Sequence, residues 1–158
     1  MLNRSLVTAL VLVSFGMASA ARADSANFVG KWHWSQKESS SVPGEPPPRD
    51  VLLTITSADA KRAQWSLAVV DDKGEKHTES FTGAADGKPT PVAGGANGMT
   101  AEVKMIGAAL DITYKVADGS SDHVSCSVSA DNNKMTCRGT ESDGKGHSAN
   151  YVDVYNRQ

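Results

Sequence analysis

The chain is poor in most of the features that would announce an activity. Of 158 residues only two are cysteines, aromatic residues make up 6%, and 16 Lys+Arg stand against 18 Asp+Glu. A formal net charge of −2 gives no basic footprint for nucleic acid. The lysines and arginines are interleaved with acids, which argues against phosphate-rich partners. Glycine and proline, at 14 and 6 residues, are too few and too irregular for a collagen-like or disordered chain. Four histidines, His33, His77, His123 and His147, are scattered, with no i, i+4 pair and no Cys/His cluster. A zinc site therefore has no ligand set. The two cysteines lack C-x-x-C spacing, which excludes the usual redox motif. No G-x-S-x-G elbow joins a strand to a helix, so a hydrolase triad has no scaffold. The chain is read as a non-enzyme without a cofactor.

What is present begins at the N-terminus. An apolar run from Leu6 to Ala18 follows Arg4, and two A-x-A patterns come next, Ala18-Ser19-Ala20 and Ala21-Arg22-Ala23. A run of about 13 residues is too short to span a bilayer, and the whole has the order of a secretory signal peptide. Residues 1–23 are assigned to that signal, and 24–158 to one domain beginning at Asp24. Losing Arg4 and Arg22 takes the basic residues from 16 to 14 against 18 acids, a net charge of −4. The mature product is expected to be periplasmic or secreted and not inserted in a membrane.

Beyond the signal the hydrophobic residues alternate by two, and turn signals recur every ten or twelve residues. That is the pattern of an antiparallel all-β sandwich or barrel. Val51, Leu53 and Ile55 share one face of a strand, and Ala63, Trp65, Leu67 and Val69 repeat the pattern after Asp59-Ala60-Lys61. Pairing about Ala60 sets Ile55 opposite Trp65, Leu53 opposite Leu67 and Val51 opposite Val69, which buries all six together. Further turns fall at Asp71–Gly74, Gly107-Ala108, Asp118–Ser121 and Ser142–Gly146, and the glycine-rich stretch over 83–99 reads as a loop with room for one short strand near Val92. Eight or nine strands joined in sequence order make an up-and-down antiparallel barrel, which removes exposed edges. A two-sheet sandwich is the alternative.

Cys126 and Cys137 test the register. A hairpin centred between Asp131 and Asn132 sets Cys126 opposite Cys137, Val128 opposite Met135 and Val124 opposite Gly139. With a four-residue loop the cysteines fall at a non-hydrogen-bonded pair, where backbones approach most closely. An oxidising compartment favours a cross-strand disulfide. Two reduced thiols packed in the core are the other possibility.

The first mature strand carries Gly30-Lys31-Trp32-His33-Trp34. A G-x-W on the opening strand, ahead of a β-meander of this length, resembles the lipocalin and fatty-acid-binding (calycin) barrels. Gln36-Lys37-Glu38-Ser39, Pro43-Gly44-Glu45-Pro46-Pro47-Pro48, Asp86-Gly87-Lys88, Pro91-Val92 and Val154-Tyr155-Asn156-Arg157-Gln158 extend the likeness to a group of secreted bacterial lipocalin-like proteins. The resemblance implies that Trp32 packs at a closed barrel end, beside Gly30 and under Arg157. The chain departs from both calycin types. It has no C-terminal helix, and a Pro-rich connection over 39–49 stands where fatty-acid-binding proteins carry a helix pair.

A barrel of about eight strands is either filled by its own side chains or holds one small ligand. Pocket candidates are Trp34, Trp65, Leu67, Phe81, Val103, Met105, Ile112 and Tyr114, with the Pro-rich segment overhanging the mouth. The same residues serve equally well as a plain core. The expected function is binding of a small hydrophobic molecule by a monomer without catalysis. The alternative is an envelope interaction protein, such as a proteinaceous inhibitor, acting through loops on a filled barrel.

Overall fold

Alternation in the chain becomes alternation in space. On the first strand Trp32 and Trp34 are buried while Lys31 and His33 are exposed, and the same two-residue rhythm runs through most later strands. The computed structural model describes residues 28–158. The signal assigned to residues 1–23 lies outside the described residues. Ten strands follow one another: β1 (Gly30–Trp34), β2 (Asp50–Ala58), β3 (Arg62–Val70), β4 (Lys76–Ala84), β5 (Thr90–Pro91), β6 (Thr100–Ile106), β7 (Ala109–Lys115), β8 (Ser121–Val128), β9 (Lys134–Ser142) and β10 (Ser148–Arg157). That is more than the eight or nine expected. The short strand inside the glycine-rich stretch is β5, of two residues.

Each strand pairs antiparallel with its sequence neighbour, except that β4 and β5 occupy the two ends of the order and β1 pairs β10. A single bridge, Ser80 to Ala93, joins β4 to the segment after β5. It consists of two backbone bonds, Ser80 N–H to Ala93 O at 2.8 Å and Ala93 N–H to Ser80 O at 2.9 Å. The sheet thus closes into an up-and-down barrel and not a sandwich.

The expected registers are present. Ile55 faces Trp65, Leu53 faces Leu67 and Val51 faces Val69; Cys126 faces Cys137, Val128 faces Met135 and Val124 faces Gly139. The cysteines form a disulfide with their Cα atoms 4.0 Å apart. One irregularity was not expected. The pairing of β2 with β3 shifts between Ile55 and Ser57. This bulge moves the inward face of β2 from Val51 and Ile55 to Ala58, all of them buried. It also absorbs the residue gained by the Asp59 turn, in which Asp59 Oδ1 accepts the amides of Lys61 (2.7 Å) and Arg62 (3.0 Å).

At the lower end the barrel is plugged. Trp32 is 0% exposed and donates Nε1–H to Phe28 O at 2.8 Å. The Arg157 guanidinium carbon lies 4.0 Å from the Trp32 ring centroid, and its Nη1 donates to Val29 O at 2.8 Å. A Cβ on Gly30 would run into Arg157 Nη1, which gives the glycine of G-x-W its reason.

Candidate functional site

Strand parity carries one row of inward side chains around the upper half of the barrel. Ala101 pairs Tyr114, Tyr114 pairs Asp122, Asp122 pairs Glu141 and Glu141 pairs Ala149. Below it lie Val103, Ile112, Val124, Gly139 and Tyr151, and below those Leu110 and the disulfide. On the opposite wall Leu53, Leu67 and Glu79 form a row, with Ile55, Trp65 and Phe81 beneath.

These rows do not fill the barrel. They enclose a cavity of about 630 Å³ whose wall includes Leu53, Ile55, Trp65, Leu67, Ile112, Tyr114, Tyr151 and Tyr155, with Met135 and the two cysteines at its base. Small-molecule sites typically span about 300–1,000 Å³. The cavity rises to the upper loops, where Val42 and Glu45 of the Pro-rich segment, Val116, Ser120 and the residues Ser142, Asp143 and His147 form its rim.

The lining is mixed. Tyr151 donates its hydroxyl to Asp122 Oδ2 at 2.6 Å. Its ring lies across Gly139, where a Cβ would collide with it. Trp65 stacks on Phe81, with ring centroids 5.8 Å apart, and meets Tyr114 edge-on at 6.0 Å. The Trp65 Nε1–H and Asp122 Oδ1 are buried without hydrogen-bond partners. Burial raises the pKa of Glu79, Asp122 and Glu141 above the ordinary carboxylate range. For Glu141 the neighbouring Asp122 adds to the shift. Burial, then the negative charge of Glu79, pushes the Tyr114 phenol up. Just below, Asp153 accepts Trp34 Nε1–H at 2.7 Å, and burial raises its pKa too.

Of the sequence-derived pocket candidates, Trp65, Leu67, Ile112 and Tyr114 line the cavity. Trp34, Phe81, Val103 and Met105 do not. The first three are buried at 6%, 1% and 0% exposure and Met105 packs against the same core; they pack the walls behind and below. The residues not anticipated are Asp122, Glu141, Tyr151 and Tyr155. Their signal was the two-residue parity set by Val124, Cys126 and Cys137. Asp122 and Glu141 are not apolar, so a pattern traced through apolar residues passes over them. Among the described residues no group of three or more His, Cys, Asp or Glu side chains is placed to hold a metal ion.

The chain matches no protein-family model and no curated protein. It is similar in structure to a point mutant of the fluorescent protein UnaG, at TM-score 0.57 and 17% identity, over 84% of this chain and 97% of that one. It is also similar to a redesigned β-barrel, at TM-score 0.54 and 11% identity, over 89% and 99% of the two chains. At these identities the likeness establishes the fold alone, an antiparallel up-and-down β-barrel.

Proposed function

We propose that this protein is an exported carrier of a small, largely apolar molecule, with no catalytic step of its own. The observation that carries the reading is the cavity of about 630 Å³, walled by aliphatic and aromatic side chains and reaching the upper loops. A barrel that acted only through its loops would have no use for an unfilled interior. The fold likeness to calycin-type barrels supports the same reading. The disulfide and the signal-like N-terminus support export to the periplasm or beyond, as in the secreted bacterial lipocalin-like group. Trp32, Gly30 and Arg157 serve as the structural plug, and the chain acts as a monomer.

The test is titration with the neutral probe N-phenyl-1-naphthylamine. Saturable 1:1 enhancement of probe emission is expected, with quenching of tryptophan emission that Trp65→Phe abolishes. Absence of saturable binding by this probe and by uncharged long-chain alcohols would overturn the carrier reading.

A further inference from the structure

We infer that the cavity selects a positively charged head group, so that its ligand is an amphiphile bearing an amine or quaternary ammonium and not a fatty acid. This rests on the carrier reading and goes further by naming the ligand class. Three observations support it independently.

The first is the sign of the lining. Glu79, Asp122 and Glu141 line the cavity from two opposite walls, and no Lys or Arg is among the described residues that line it. The lysines that form ion pairs do so elsewhere: Lys88 with Asp86, Lys115 with Glu102 and Lys134 with Glu38. Arg157 is engaged at the plug. His147 at the rim is held by Asp143 at 2.7 Å. The nearest cationic groups to the deeper carboxylates are the side chains of His77, beside Glu79, and His123, beside Asp122, and among the described residues neither forms an ion pair with them.

The second is geometry. Asp122 and Glu141 are directly opposed across β8 and β9, an arrangement that like charges disfavour. A bound cation between them removes the repulsion, whereas a ligand carboxylate adds to it. The third is an unmet bond. Asp122 Oδ1 is fully buried without a partner, while its Oδ2 is held by Tyr151. Buried acceptors are normally satisfied, and this oxygen, on a residue that lines the cavity, would accept an ammonium N–H. A quaternary head has no N–H, but the aromatic faces of Tyr114, Tyr151 and Tyr155 in the same wall suit it through cation–π contact.

The test uses one apolar body with three heads. Dodecyltrimethylammonium, dodecanol and dodecanoate are titrated at pH 7 against the disulfide-intact protein, each below its micellar concentration, with displacement of N-phenyl-1-naphthylamine as readout. Affinity is expected to fall at least tenfold from the ammonium to the alcohol, and further to the carboxylate. In the double variant Asp122→Asn/Glu141→Gln the ammonium and the alcohol should bind within about twofold of each other, the preference being read as the ratio of their affinities within that variant. Should that variant misfold, Glu79→Gln provides a second reading, with a smaller loss of preference in the same direction. Dodecanoate binding as tightly as the ammonium in the wild type would overturn the inference and leave the carrier reading standing. Failure of all three ligands and of the probe would overturn both.

Discussion

Tyr151 reaches Asp122 because its ring crosses a residue with no side chain. In Gly139→Ala the new methyl must displace that ring, and overpacking of this kind costs about 1–3 kcal/mol. Urea denaturation should show a lower midpoint with an unchanged slope. Glu141→Gln should act in the opposite direction. Burial and Asp122 raise the Glu141 pKa, so the protonated form is the one the fold favours. Its contribution is fully present below the ordinary carboxylate range and is lost as pH rises through the raised value. Replacing one of two opposed carboxylates should therefore stabilise the protein at pH 7 by about 0.2–1 kcal/mol, at the lower end because water screens the pair. The gain should shrink as pH falls into the carboxylate range, where the pair no longer carries two charges; thermal melts at pH 7 and in acid check it. These residues were partly legible. Tyr114, Trp65, Leu67 and Ile112 follow from apolar alternation. Asp122 and Glu141 follow only if parity is allowed to outrank polarity, which a closed interior permits and a solvent-backed sheet does not.

Among the elements, the hairpin β8–β9 was the most readable. Its turn chemistry and paired cysteines independently fix one register, and the disulfide closes a loop with a sequence separation of 11. Chain entropy alone assigns such a link about 3 kcal/mol. Reduction, or Cys126→Ala with Cys137→Ala, should lower the guanidinium midpoint by a matching amount without changing the fold, as far-ultraviolet circular dichroism would show. The bulge in β2 was not readable. Thr56 has ordinary strand propensity, and alternation looks intact on either side of it. Only the pairing with β3 shows that two inward phases meet there. The strand β5 falls beside Val92, where one short strand was expected, but its exact place was not readable: two residues are too few to establish a period, and its pairing with β6 is a tertiary fact.

For the whole molecule, opposed titrations shape stability. The turn aspartates have pKa values held down, Asp59 chiefly by the Lys61 amide and Asp118 chiefly by the Ser120 hydroxyl. Their contribution is present above the ordinary range and is lost as pH falls. The interior acids Asp122, Glu141 and Asp153 behave in the reverse sense. Stability against pH should accordingly show a maximum in mildly acidic solution and decline toward both sides, measurable by melting temperature from about pH 3 to 8. Hydrogen exchange should be fastest at β4 and β5, where two backbone bonds replace a ladder, and slowest in β8 to β10. That thin closure has a further consequence. In hydrogen-bonding terms the molecule keeps two strand margins with backbone groups unspent, the condition under which chains recruit one another into shared sheets. Its safeguards lie at those margins. Pro91 has no amide to offer an incoming strand, β5 is two residues long, and β4 begins with the exposed Lys76 and His77. Resistance to edge-to-edge pairing is thus written into a few residues at the seam, apart from those that form the cavity.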